Sequence, residues 1–191
     1  MADLAETLRA ALAPPRPDPP LPAGVPAAVV LPLVEGPEPA LLFTRRADGL
    51  RHHRGEVSFP GGARHDEDPD LLATGLRETE EELGIPPSAH DVLGRLIPVQ
   101  AEVSGYAVVP YVARLGSRPE LRPNPMEVAE VLELPLERLA AVERLERGVW
   151  EGAPYEMYVY EMDGQVVWGL TGRILHHLLR ILEREGWTWE T

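Results

Sequence analysis

The chain has 191 residues, 44% of them hydrophobic, with a formal net charge of -13 and no cysteine. That length and apolar content suffice for one domain with a buried core, and the missing cysteines exclude disulfides, thiolate metal sites and cysteine nucleophiles, as fits a cytoplasmic chain. All 18 basic residues are arginine, so a P-loop lysine and Schiff-base chemistry are excluded, and the acidic surplus argues against a nucleic acid polymer as partner.

In chain order, "DLAETLRAAL" at 3 to 12 spaces its leucines four apart and predicts a short amphipathic helix. The proline-dense stretch 14 to 22 stops it and continues as an extended connector. Residues 1 to 22 therefore read as a leader ahead of a domain spanning 23 to 191. "VPAAVVLPLV" at 25 to 34 is about half of what a bilayer crossing needs, and the amino terminus has no basic region followed by an apolar one, so no membrane partner is expected. "PAAVVLPLV" and "PALLFTRRA", joined by "EGPEP", predict a hairpin. The segment 47 to 62 has no period and predicts a loop that ends in "SFPGG". Residues 70 to 83 carry the strongest helix pattern, and "HDVLGRLIPVQ" and "GYAVVPYVARL" then read as strands. "MEVAEVLELP" alternates as a strand, "PLERLAAVERL" starts a helix at Pro135, and "YEMYVYEM" and "QVVWGL" form strands around a tight "DG" turn. A broad apolar stripe over roughly 170 to 185 predicts a final packed helix. The order implies an α/β (α+β) fold, a mixed sheet with helices packed on it.

"RETEEELGI" at 77 to 85 concentrates acid within the best helix. At about 100° per residue Glu78, Glu81 and Glu82 share one face within about 60°, opposite Leu72, Leu76 and Leu83, while Glu80 belongs to neither set. An exposed acidic face costs only a few tenths of a kcal/mol per like-charge pair. In a cleft, two carboxylates about 6 Å apart repel by roughly 3 kcal/mol at an effective dielectric near 20, which calls for a divalent cation or a raised pKa. Oxygen ligands of this type suit Mg²⁺ or Mn²⁺. Gly75, one turn earlier, weakens the helix by about 1 kcal/mol relative to alanine and marks a close approach.

"GG" at 61 to 62 followed by "RETEEELGI" resembles the signature of the Nudix hydrolases, with Arg77, Glu78, Glu81, Glu82, Gly84 and Ile85 matching and Thr79 where an aliphatic residue is usual. The gap from Gly62 to Arg77 is one residue longer than the family spacing, and the spacer glutamate is replaced by Asp68 or displaced to Glu67. Upstream, "LLFTRRADGLRHHRGEVSFPGG" at 41 to 62 is similar to the motif preceding that box in coenzyme A diphosphatases, through Leu41, Leu42, Thr44, Arg45, Arg51, Gly55, Phe59, Pro60, Gly61 and Gly62. "SGYAVVPYV", "EVAEVLELPL" and "VVWGLTGRIL" extend the likeness over about 25 to 182.

The resemblance implies a Nudix-type α/β/α sandwich and metal-dependent hydrolysis of the diphosphate of coenzyme A or a derivative, with Mg²⁺ or Mn²⁺ as cofactor. Glu78, Glu81 and Glu82 would hold the metal, Glu81 and Glu82 would share in catalysis, and Arg77 would hold a glutamate in place. Gly61 and Gly62 would let the backbone approach the substrate, and Arg45 and Arg51, ahead of Arg46, would meet its phosphates. Glu127 and Glu130 are candidates for a base beside their plainer reading as surface charges. His52 and His53 read as solvated, and His176 and His177 as structural. Rival readings are a Nudix enzyme for ADP-ribose or NADH and a non-catalytic nucleotide-binding module, and a homodimer with the leader packed on a second subunit is left open.

Overall fold

A computed structural model describes residues 3–47, 55–101, 103–116, 119–150 and 152–188. The predicted hairpin is β1 (Val25–Val34) and β2 (Ala40–Arg46), paired antiparallel through Leu33↔Leu41 and Val34↔Ala40. The segment expected to be a loop is partly strand: β3 (Val57–Ser58) pairs with Thr44 and Arg45, and β4 (Gly61–Ala63) pairs with Ala27 to Val29 of β1. Short strands without alternation carry no periodic signal, and their pairing partners supply the order. Arg51, His52 and His53 lie outside the described residues.

"HDVLGRLIPVQ" divides into β5 (His90–Arg95) and β6 (Val99–Ala101), both antiparallel to β7 (Tyr106–Leu115). β7 runs parallel to the whole of β1, and β8 (Val128–Pro135) covers β2. These eight strands make one mixed sheet. The helix expected at "PLERLAAVERL" is α3 (Leu136–Val142), and it stops early: from Glu143 the chain becomes β9 (Glu143–Trp150). Its partner is β10 (Ala153–Met162), which turns through Asp163 and Gly164, both at positive φ, into β11 (Gln165–Val167). The second sheet thus has three strands where two were expected.

The 3.6-residue pattern produces α1 (Leu4–Ala11), α2 (Leu71–Leu83) and α4 (Gly169–Arg184) as predicted. Alternation along β1 sorts the core. Ala28 packs with Leu71 and Leu72 of α2, and Val30 lies 3.1 Å from where a Cβ on Gly75 would sit, so Gly75 admits the strand itself. Ala27, Leu31 and Leu33 face the larger core, with Leu8 of α1 and Ile174, Leu175 and Leu178 of α4. The mixed sheet therefore carries α2 on one face and α1 and α4 on the other.

The leader packs on its own chain. Leu4, Ala5, Leu8 and Leu12 are buried in the large core, and Arg9 pairs with Asp91 at 2.7 Å. Past the prolines, Asp18 accepts from the Leu71 N–H at 3.1 Å, filling one of the open donors at the start of α2. Among the described residues no helix is long and apolar enough to cross a membrane.

His176 has the structural role expected of it. It stacks on Tyr158 with ring centroids 3.5 Å apart, and its Nδ1 lies 3.2 Å from Glu143 Oε2. That carboxylate also accepts from the Tyr160 hydroxyl at 2.6 Å and from Arg180 at 3.2 Å, which binds α4 to the second sheet.

Candidate active site

The acidic helix is fixed at both ends. Asp70 caps its start by accepting from the Ala73 N–H at 2.8 Å, and Gly84 ends it at φ 72 in the left-handed region. The loop at 121–127 then satisfies open carbonyls of the last turn, with Arg122 N–H donating to Leu83 at 2.8 Å and Asn124 N–H to Glu82 at 2.9 Å. This docking brings Glu127 into the electrostatic field of both Glu78 and Glu82.

The glutamates separate by environment. Glu80 is exposed, whereas Thr79, the departure from the usual aliphatic, is buried and its hydroxyl donates to the Gly75 carbonyl at 2.8 Å. Glu82 is 4% exposed, and its Oε2 is buried without a hydrogen-bond partner. Burial pushes its carboxyl up to about 8, a shift that Glu78 and Glu127 reinforce and Arg46 and the Gly61 amide oppose. Glu78 is also raised, first by burial, with the Arg77 hydrogen bond working against it. Glu81 is half exposed and accepts from Arg77 Nη1 at 3.0 Å. Among the described residues no three acidic or histidine side chains converge as a ready-made metal cage. The structure brings Glu78 and Glu82 inward and leaves Glu81 at the rim on Arg77.

Arg77 is the hub. It donates to Asp68 Oδ1 at 3.0 Å and Oδ2 at 3.1 Å, to Glu78 at 2.8 Å, to Glu81 and to the Ala63 carbonyl at 3.2 Å. This settles the spacer acid: Asp68 is buried and also accepts from the Thr74 hydroxyl and the His65 N–H at 2.9 Å each, while Glu67 is exposed. The Arg77 hydrogen bond holds the Asp68 carboxyl well below the usual carboxylate range. Its stabilising effect is therefore present above the unfolded value of about 3.9 and is lost as pH falls through the lower folded value. Asp68→Ala strips Arg77 of its main partner and is expected to cost roughly 2–3 kcal/mol, the worth of a charged hydrogen bond in a partly buried pair, with activity down about tenfold to a hundredfold, as read by thermal melting and steady-state rates. A variant as stable and active as the parent would make the Asp68 network incidental.

The two glycines have different tasks. A Cβ on Gly62 would fall 2.6 Å from the Glu78 carboxyl carbon, so the missing side chain is what admits that carboxylate. Gly61, at φ 155, presses its backbone against β1, where a Cβ would meet Val29 Cα at 2.6 Å.

The arginines part across β2. Arg46 stands on the α2 side, acts on Glu82, and has a buried Nε without a hydrogen-bond partner. Arg45, preferred from sequence, points to the opposite face and pairs with Glu130 of β8 at 3.0 Å. That pair occupies Glu130, so of the two candidate bases Glu127 is the one beside the acidic helix. Arg45 also lines an open cleft of about 550 Å³ with Gly55, Val57, Gln165 and Trp168, the last 43% exposed. The sequence ranks Arg46 behind Arg45 and Arg51 and gives no sign of Asn124 or of the Gln165–Trp168 wall. Strand alternation signals that adjacent arginines face opposite ways, but not which side holds the acid. Much of the 41 to 62 stretch is structural: Leu41 and Leu42 are buried, Thr44 donates to Ser58 at 3.3 Å, and Phe59 stacks on Phe43 with centroids 4.4 Å apart.

The chain accommodates a divalent cation. The buried, unpartnered Oε2 of Glu82 and the raised carboxyl of Glu78, which Gly62 admits, supply oxygen donors in a setting that disfavours their bare charges and that a cation would relieve.

A family model described as NUDIX domain matches residues 24–155. The chain is 42% identical over 157 residues to proteins called "Uncharacterized Nudix hydrolase NudL" from Yersinia pestis (strain Pestoides F) and Yersinia pseudotuberculosis serotype O:3 (strain YPIII), covering 80% of this chain and 77% of each relative. Among solved structures it is similar to a MutT/nudix family protein from Enterococcus faecalis, with TM-score 0.53, 18% identity and coverage of 96% of this chain and 69% of that one. A Nudix hydrolase from M. smegmatis, RenU, matches with TM-score 0.51 and 23% identity over 61% of this chain and 74% of that one, a likeness of fold.

Proposed function

This chain belongs to the Nudix family, and from that premise we propose that it hydrolyses the diphosphate bond of coenzyme A or a derivative, giving 3',5'-ADP and 4'-phosphopantetheine or its acyl form. Its fold and acidic helix make it a Nudix hydrolase of small nucleotide-derived substrates, a family that needs divalent metal ions. The observation that carries the substrate reading is that Arg45 and Gly55, both within the 41 to 62 stretch, line an open cleft of about 550 Å³ together with Gln165 and Trp168.

Mg²⁺ or Mn²⁺, when bound, supplies charge neutralisation for the diphosphate oxygens. Glu78 and Glu82 would hold it, with Glu81 at the rim. Arg77 sets the rotamers of Glu78 and Glu81 against the Asp68 anchor. Glu127, within the electrostatic reach of both inward carboxylates, would orient a water and accept its proton. Arg46 offers a positive charge on the same side, and Arg45 extends into the cleft, suited to a phosphate away from the scissile bond.

The test is product analysis with coenzyme A, ADP-ribose and NADH side by side, each with Mg²⁺ and with Mn²⁺. Release of 3',5'-ADP from coenzyme A is the expected result. Brisk turnover of another substrate with none of coenzyme A overturns the substrate reading, and no turnover of any would favour the non-catalytic module.

A further inference from the structure

The second sheet ends in an open edge. β9 pairs with β10 on one side only, and among the described residues no further backbone hydrogen bond reaches it. An edge of eight residues with free N–H and C=O groups is a template for another strand unless its side chains forbid pairing. Its sequence, "ERLERGVW", is heavily charged, with Leu145 37% and Val149 72% exposed. Charges on an edge normally repel such pairing, so the question is which registers they forbid.

Two copies of one strand paired antiparallel about a two-fold axis place some residue opposite itself, and its neighbours then pair reciprocally. Centring on Arg144, Glu146 or Arg147 sets like charges face to face. Centring on Gly148 sets Arg147 against Val149 and makes no charge pair, and centring on Val149 leaves only the end of the strand in register. Leu145 alone gives complementarity on both sides: Arg144 meets Glu146 of the second copy, Glu143 meets Arg147, and Leu145 packs on Leu145. Arg144 already holds Glu146 of its own strand at 3.1 Å. Two copies in this register would therefore make a square of four charges alternating both along and across the strands. Glu143 contributes less, because its carboxylate already accepts from Tyr160, His176 and Arg180.

We propose that the β9 edge is a self-association surface, joining two copies of this chain antiparallel with Leu145 at the two-fold axis and a continuous six-stranded sheet across it. The charges that blunt this edge against other strands select this register. The proposal stands apart from the substrate assignment, since it uses no residue of the acidic helix or of the cleft.

The test uses the full chain, which has no cysteine of its own. Sedimentation over a concentration series is expected to show a monomer–dimer equilibrium. Leu145→Cys is expected to form a disulfide-linked dimer under mild oxidation. Val149→Cys is expected to stay monomeric on the same gel, since its two copies would lie about eight residues apart along the strands, roughly 26 Å at 3.3 Å per residue. Glu146→Arg sets arginines against each other at both flanks and should weaken association about tenfold or more; adding Arg144→Glu should restore it. A monomer at every concentration overturns the proposal and leaves the charges as edge protection. Crosslinking at 149 in place of 145, or a Glu146→Arg chain that associates like the parent, overturns the register.

Discussion

Glu82→Gln is expected to abolish diphosphate hydrolysis, by about three orders of magnitude or more, while raising the thermal stability of the metal-free chain. Both effects follow from one observation, a carboxylate that is 4% exposed with one oxygen unpartnered. The chain keeps a group there that folding disfavours, which suits a ligand site and not a brace. The sign of the pH effect follows from the raised carboxyl. Its folded value of about 8 lies above the ordinary carboxyl value of 4.5, so between them the folded state binds the extra proton. Metal-free stability is then greatest near the lower value and falls by about 1.4 kcal/mol per pH unit as pH rises through that window. Melting curves of the metal-free parent from about pH 5 to about pH 8 should drift downward, and those of Glu82→Gln should drift less. A divalent cation should stabilise the parent in proportion to its occupancy and the variant little. A variant that stays active, or that melts well below the parent without metal, would make Glu82 a structural residue.

The sequence disclosed the parts of this site that depend on period and failed where partners decide. Glu78 and Glu82 could be placed on one face of a helix because 3.6 residues per turn leave no alternative once Leu72 and Leu83 take the core. The same arithmetic grouped Glu81 with them, yet Arg77, anchored on Asp68, holds it at the rim. That difference resides in a hydrogen-bond hub whose anchor stands nine residues upstream. Asp68 and Glu67 were indistinguishable in a spacer one residue too long, and what separates them is that Thr74 and the His65 amide have a carboxylate to meet only at 68. Arg45 and Arg46 show a further limit. Strand alternation sends neighbouring side chains to opposite faces, but only the packing of α2 on Ala28 and Val30 tells which face is acidic. β9 has no signature in the sequence for a related reason. "ERLERGVW" continues the charge pattern of α3 and has no alternation of its own, so its strand character comes from eight paired positions on β10.

Gly62→Ala offers the sharpest separation of geometry from chemistry, because it removes no charge from the site and only displaces one. The added methyl would lie 2.6 Å from Glu78 Cδ and Oε1 and 2.7 Å from Oε2. The group that must yield is the far end of a flexible side chain, so the fold should lose only about 1 kcal/mol. Glu78 cannot keep its position, and a displacement of about 1 Å at an aligned site costs on the order of a hundredfold in rate. The expected variant is folded, melts close to the parent and turns over about a hundredfold more slowly, with its requirement for divalent cation shifted to higher concentration. Gly61→Ala is the matched control with the opposite failure. Its methyl would meet backbone of β1, at Ala28 O and Val29 Cα, and its φ of 155 is one that alanine resists, so the loss there should be in folding, by several kcal/mol. If Gly62→Ala hydrolyses substrate at the parent's rate, the Glu78 carboxylate has no fixed position to lose and the reading of Gly62 as its cradle fails. If the two variants unfold alike, the close approach at 62 belongs to the fold alone.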